Sequence, residues 1–450
     1  MASSYLWRNI GSNGNRKTMT FSAWVKRSGT GTASIFTTGS GAERDMLLFE
    51  SSGIIQFSRF NGSYLYKLQT NAKYLDTNGW YHIVAVLDTP QATEANRMKL
   101  YVNGEQVTSF SAASYPSQDY QSNYNQSGYT QYVGQDSDGN FDFDGCMSHV
   151  HYVDGLALTP ATFGSTDSTT GEWKITTSPT VSDYGTNGFF VLKDNNSGTD
   201  QSGEGNNLTT QGTITETKDN PSNVFATLSP NIVPKNSTGT GISAGNTRFT
   251  NGNAVWQTEA SAFGVTSGKW YFEVQFQNNG GGDRRFRWGY QTQDYVNKTG
   301  NGTVLGGTNA NAVAFMTNGY ADSYGGYVIN TTATNLTSDG DINEDNAVYG
   351  FALDLDNRKM YGHFNGTWLN SANPSNGTNG IDISSHVNVG DTLFPAFTTH
   401  LSNININFGN GVLDTTALTG TTYNDADGNG IFKYTVPTNY RALCTKGLNQ

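Results

Sequence analysis

The 450-residue chain is poor in charge. Asp, Glu, Lys and Arg make up only 14% of it, and acids outnumber bases, giving a formal net charge of −11. An acidic surface repels phosphate backbones and anionic lipid, so no nucleic-acid partner is expected. The densest basic cluster, Arg284-Arg285-Phe286-Arg287, reads as a solvated strand end. There are only two cysteines, Cys146 and Cys444, too few for a disulfide framework, and they are expected as buried free thiols. No stretch approaches the length of an apolar membrane span, so no membrane insertion is expected. Met1 to Ile10 lacks the apolar core of a secretory signal. If the protein works outside a cell, it is expected to leave without a secretory signal.

Helix-forming patterns are also missing. The polar residues are Asn, Gly, Ser and Thr, which favour turns and short strands. What the chain has instead is aromatic mass, with Tyr and Phe at 24 each. Those rings allow a core despite a hydrophobic share of 35%, and they argue against disorder.

Period-two alternation recurs along the chain. Thr18 to Lys26 sets Met19, Phe21, Ala23 and Val25 on one face. Ile54 to Phe60, Tyr64 to Gln69, Trp80 to Leu87, Met98 to Val102 and Phe141 to Val153 read as further strands, with Asn61-Gly62 and Asn103-Gly104 as hairpin turns. A second strand-rich region includes Lys269 to Phe276, Phe286 to Tyr290, Ala312 to Thr317, Val348 to Leu355, Lys359 to Phe364, Leu393 to Thr398 and Ile404 to Phe408. The expected fold is all-β, two antiparallel β-sandwiches in tandem. The expected divisions are a jelly roll at residues 1–160, a polar joint at 161–221 that can complete it, a second sandwich at 222–412, and a tail at 413–450 packing on that sandwich. Trp24, Trp80, Trp270 and Trp288 lie on strands and are expected to be packing residues.

Two family resemblances follow from ordered motif series. Phe21-Ser22-Ala23-Trp24-Val25-Lys26, Trp80 to Ala85, Leu100-Tyr101-Val102-Asn103-Gly104, and Phe143 to Val150 with Tyr152 to Leu158 together resemble the laminin-G-like (concanavalin A-like) jelly roll. Ser267-Gly268-Lys269-Trp270-Tyr271-Phe272-Glu273-Val274, Arg287-Trp288-Gly289-Tyr290, Tyr349 to Asp356, Leu393 to Ala396 and Asn407-Phe408-Gly409 resemble the SPRY domain, a sandwich used in protein recognition. Asn15-Arg16-Lys17-Thr18, Asp219 to Leu228 and Pro437 to Cys444 are similar to segments of marine phage structural proteins. That resemblance implies a virion location, other virion proteins as partners and a homo-oligomer.

The chemistry expected is binding, not catalysis. Glycosidases on the jelly roll need a carboxylate pair, which the laminarinase-like kind carries as Glu-x-Asp-x-x-Glu on one strand. No such run occurs; Asp354-Leu355-Asp356 is nearest and falls at a strand turn. His149 and His151, two apart, are expected to face the same side as satisfied or surface residues. Gly280-Gly281-Gly282 precedes a strand, so it is no phosphate cradle. Two acidic clusters suggest Ca2+, set against the reading of plain turns. One is Asp136 and Asp138 with Asp142 and Asp144. The other is Asp425 and Asp427, the front half of an EF-hand-like loop whose twelfth position is Val436. Tyr115, Tyr120, Tyr124, Tyr129 and Tyr132, spread among Ser, Asn and Gln, have the composition of a recognition loop, as do Tyr320, Tyr324 and Tyr327. The alternative for these loops is packing on their own rings or gripping a neighbouring subunit.

The expected function is a non-catalytic phage appendage, a tail fibre or similar adhesin that contacts a host surface glycan or protein. A capsid decoration or connector protein is the alternative, and a glycan depolymerase is disfavoured.

Overall fold

The strand Thr18–Arg27 shows how this sequence makes its sheets. Met19, Phe21, Ala23 and Val25 alternate into the core, while Trp24 on the opposite face stacks on His82 at 4.9 Å. The computed structural model describes residues 4–193, 197–229, 240–278, 285–292, 304–306, 312–317, 325–330, 332–336, 339 and 342–448. By contact the chain divides into two units, Met1–Glu216 and Thr217–Gln450.

In the first unit the strands are β1 (Tyr5–Asn9), β2 (Thr18–Arg27), β3 (Ala33–Ser40), β4 (Glu43–Phe49), β5 (Ile55–Phe60), β6 (Tyr64–Thr70), β7 (Tyr81–Asp88), β8 (Met98–Val102), β9 (Glu105–Gln106), β10 (Phe110–Ser114), β11 (Thr130–Val133), β12 (Gly145–Asp154), β13 (Gly164–Thr166), β14 (Trp173–Ile175), β15 (Phe189–Val191) and β16 (Thr209–Gln211). One sheet has the order β10-β6-β5-β4-β3-β11-β1-β16 and the other β15-β12-β2-β7-β8-β9. Strands β15 and β16, from the polar stretch after the first motif series, each join one of these two sheets. Between the sheets lies an aromatic and aliphatic core that includes Phe21, Phe36, Phe49, Phe57 and Tyr152.

The segment after β12 covers the outer face of the six-stranded sheet. Phe163 and Tyr184 pack there on Val84, Val86 and Phe190. The Trp173 indole N–H donates to His82 Nδ1 at 3.0 Å, which leaves the ring proton on Nε2, 2.9 Å from Ser22 Oγ. Burial pushes His82 down to about 3 and His151, bonded to the Tyr184 hydroxyl at 2.8 Å, well below the ordinary histidine value.

The second unit contains β17 (Thr240–Ser243), β18 (Arg248–Asn251), β19 (Gln257–Ala260), β20 (Lys269–Asn278), β21 (Arg285–Thr292), β22 (Ala312–Met316), β23 (Gly326–Ile329), β24 (Thr332–Asn335), β25 (Val348–Asp354), β26 (Lys359–Phe364), β27 (Thr367–Trp368), β28 (Ile381–Asp382), β29 (Leu393–His400) and β30 (Ser402–Asn407). Its sheets run β17-β18-β30-β20-β25-β26-β27 and β19-β29-β21-β22-β23-β24. Trp288, Phe272, Phe351 and Phe397 are among the buried residues between them. The C-terminal segment packs Phe432, Tyr440, Ala442 and Cys444 on Tyr271, Ala352 and Tyr361, outside the larger sheet. Arg441–Ala442 adds to β20 as a short parallel strand, whereas the pairings that build both sandwiches are antiparallel. The fold is all-β, and Trp24, Trp80, Trp270 and Trp288 are buried.

Candidate functional site

Register defines a second face of the eight-stranded sheet. On β1, Leu6 points into the core, so Tyr5 and Trp7 take the opposite face. Trp7 stands opposite Tyr132, Tyr132 opposite Thr37, Thr37 opposite Met46, Met46 opposite Ser58, and Ser58 opposite Lys67. This row crosses six strands, about 24 Å at some 4.8 Å per step. Tyr5, Trp7 and Tyr132 are half-buried and lie outside the core cluster, with the Tyr5 and Tyr132 ring centres 6.1 Å apart.

At the other end Tyr64, 47% exposed, meets Phe60 edge-on at 5.3 Å. Its hydroxyl accepts from Gln56 Nε2 at 3.4 Å, and Lys67 Nζ lies 4.5 Å from its ring centre. Between these ends Met46, Leu48, Gln56 and Ser58 are buried.

The turn after β11 lies over β3 on this same face. A Cβ at Gly39 would come within 2.5 Å of Ser137 Oγ, so glycine is what lets the turn settle there. Arg44 reaches Asp136 at 3.2 Å and also binds Asp138. Asp136 Oδ1 accepts the backbone N–H groups of Asp138 and Asn140, and Asp142 accepts from Gln135 Nε2 at 2.7 Å. A guanidinium thus supplies positive charge beside Asp136 and Asp138, two of the residues expected to hold calcium, and an amide meets the third, Asp142. Asp425 and Asp427, expected to open the second calcium loop, also have protein partners. Asp425 accepts the N–H groups of Asn429, Gly430 and Ala442 at 2.6, 3.0 and 2.9 Å, and Asp427 binds Arg441 Nε at 2.6 Å. Among the described residues no three His, Cys, Asp or Glu side chains converge as a metal-binding group.

The tyrosine-rich loop separates into members that pack and one that does not. Tyr124 is fully buried, 5.9 Å from the Phe36 ring and 6.2 Å from the Phe57 ring, so it cannot serve as a contact for a partner. Tyr115 and Tyr120 pack on the core, Tyr120 edge-on to Tyr66 at 5.7 Å. The Tyr129 hydroxyl donates to Glu43 at 2.8 Å. Beneath the loop, buried Asp45 holds Arg59 at 2.7 Å, the Asn123 N–H at 2.9 Å and the Tyr66 hydroxyl. Tyr132 alone of the five lies on the outer face. In the second unit Tyr327 is half-buried and packs on the core, while Tyr320 and Tyr324 lie outside the described residues, as do Arg284 and Gly280 to Gly282.

Other expectations resolve locally. His149 and His151 do not share a side in simple alternation, because a bulge falls between Ser148 and His151 and His149 has φ +50°. Asp354 binds Lys269 Nζ at 2.9 Å and Asp356 accepts the Gly268 N–H at 2.9 Å, both at a strand turn. Trp7, Tyr5 and Tyr64 were not singled out from sequence. The alternation Tyr5-Leu6-Trp7 was the available signal for the first two.

Residues 4–164 match the family model described as the concanavalin A-like lectin/glucanases superfamily (Laminin_G_3). That match covers about a third of the chain and falls within the first unit. No curated protein matches the chain. Similar solved structures include a SAP-like pentraxin from Limulus polyphemus, with 19% identity over 35% of this chain and 72% of that one, TM-score 0.27. The SPRY domain of human HERC1 has 13% identity over 40% of this chain and 96% of its own, TM-score 0.28. A putative carbohydrate binding protein from Bacteroides ovatus has 19% identity over 47% of this chain and 58% of its own, TM-score 0.31.

Proposed function

We propose that this protein is a non-catalytic glycan-binding protein whose first unit receives sugar on the outer face of the eight-stranded sheet. The observation that carries this reading is the ring group Tyr5, Trp7 and Tyr132, which stands on adjacent strands and takes no part in the core. Aromatic faces offer apolar area to the C–H faces of sugars, and the neighbouring hydroxyls and amides offer hydrogen bonds. The match of residues 4–164 to a lectin/glucanase superfamily supports it. Binding is favoured over hydrolysis because Asp136 and Asp138 on this face are held by Arg44, not poised as an acid and a nucleophile.

The test is calorimetry or a glycan array with the full chain and the Trp7→Ala, Tyr132→Ala variant. A loss of about tenfold or more, ~1.4 kcal/mol, is expected with circular dichroism unchanged. Unchanged affinity removes the site, and failure to bind any glycan removes the reading.

The setting we propose is a bacteriophage particle, with the protein acting as an oligomeric tail fibre or similar adhesin among other virion proteins. Two of the phage-like stretches pair with one another, as the Ala226 N–H donates to the Leu443 carbonyl at 2.8 Å and Phe225 bridges Cys444. Antibodies to the protein should label particle tails and block adsorption. Label on capsid shells without blocking supports the decoration alternative instead.

A further inference from the structure

Strand β30 reads Ser402-Asn403-Ile404-Asn405-Ile406-Asn407, and its isoleucines enter the core of the second unit. The asparagines therefore lie on the opposite face. Register sets Arg248 and Gln275 on either side of Asn405, and Thr250 and Gln277 on either side of Asn403. Six hydrogen-bonding side chains thus form two rows of three across β18, β30 and β20. The rows are about 7 Å apart along the strands, with some 4.8 Å between neighbours. No carboxylate and no aromatic ring belongs to the array.

The C-terminal segment covers this sheet around Tyr271 and Tyr361, on β20 and β26. Five of them are half-buried and Asn405 is fully buried. Asn405 Nδ2 donates to Gln275 Oε1 at 3.1 Å, but its Oδ1 accepts nothing, and Asn403 Oδ1 is likewise without a donor. Gln275 and Gln277 reach Asn346 only at 3.4 Å. Arg248 is held by Asp414, so the array offers no unmatched positive charge to a phosphate chain.

We infer that this amide face is a second carbohydrate-contact surface, taking a linear, hydroxyl-rich glycan across three strands by hydrogen bonds alone. Each amide both donates and accepts, as each sugar hydroxyl does, and the orphaned acceptors call for donors. With no ring on the face, stacking plays no part. The surface differs from the outer face of the first unit in residues and in chemistry, so either can fail without the other.

The experiment is affinity gel electrophoresis of the full chain with dextran, laminarin and alginate as probes. Trp7→Ala with Tyr132→Ala removes the first face, and Asn403→Ala with Gln277→Ala removes the second, with thermal melting as the check on folding. The expected result is retardation by at least one polysaccharide that survives the first pair of changes and is lost with the second. That residual binding leaves tryptophan emission unchanged. Retardation abolished by Trp7→Ala with Tyr132→Ala overturns the amide face and leaves the proposed lectin site standing. Residual retardation untouched by Asn403→Ala with Gln277→Ala, or no retardation of the wild type by any probe, also overturns it.

Discussion

Asp45 in the first unit and Glu273 in the second are both buried carboxyl groups, and their partners differ. In the first, Asp45 sits beneath the tyrosine loop with a guanidinium, a hydroxyl and a peptide N–H as partners. In the second, Glu273 accepts the N–H groups of Lys433 and Tyr434 at 2.8 Å, Asn407 Nδ2 at 3.2 Å and the Tyr271 hydroxyl at 3.1 Å. None of these donors is charged, and burial raises Glu273 to about 7. Glu259 has no hydrogen-bond donor on either oxygen and rises to about 8, again through burial. The sequence of cases shows what each kind of partner can do. Neutral donors offset part of the desolvation at Glu273, and at Asp45 burial still raises the group despite Arg59, whose attraction opposes it.

The comparison breaks most sharply at Arg59. Arg59→Met leaves Asp45 buried without its cation and should cost the first unit about 3–5 kcal/mol, read from urea unfolding of the full chain. The second unit should unfold as before. The next effect is one of pH. Glu259 lies at about 8 when folded against 4.5 as a model group. Its contribution is therefore full below pH 4.5 and is lost as pH rises through 8, at up to about 1.4 kcal/mol per pH unit. Glu259→Gln should flatten that loss, and an unchanged alkaline profile would refute the assignment. His82 works in the opposite sense. It lies at about 3 against 6.5, so stability of the first unit is full above pH 6.5 and falls as pH drops toward 3. His363, also at about 3, gives the second unit a similar acid-side loss.

The smallest effect belongs to Asp138. Its side chain is partly open and Asp136 remains on Arg44, so Asp138→Asn should cost under about 1 kcal/mol. Added calcium should leave the wild-type melting temperature unchanged; a rise would favour the metal reading.

The strands were legible because alternation is local. Phe21, Ala23 and Val25, or Ile404 and Ile406, declare a buried face within a few residues. Tyr124 was not legible as core, because a buried tyrosine and a recognition tyrosine share the same Ser- and Asn-rich surroundings. What separates them is Asp45, 78 residues away from its partner Asn123. The partner of Asp138, Arg44, is likewise 94 residues distant and could not be read from the loop itself. Of the residues on the outer face, Tyr132 was found through its loop, whereas Trp7 needed β1 to be recognised as a strand.

The pairing of Phe225 with Cys444 carries a consequence for the order of events during synthesis. Val224 and Thr445, joined by a backbone N–H to Oγ1 bond at 3.1 Å, are 221 residues apart in the chain. Val224, Phe225 and Ala226 must wait for their partners Thr445, Cys444 and Leu443 until the ribosome has released nearly all of that sandwich, although Leu228 can already meet Asn246 and Ser261. The first closes in the same way, since Tyr5 pairs with Gln211 near the end of that unit, but Thr209–Gln211 leaves the ribosome before the second unit's strands do. Each sandwich should therefore close only near the end of its own synthesis, the N-terminal one first.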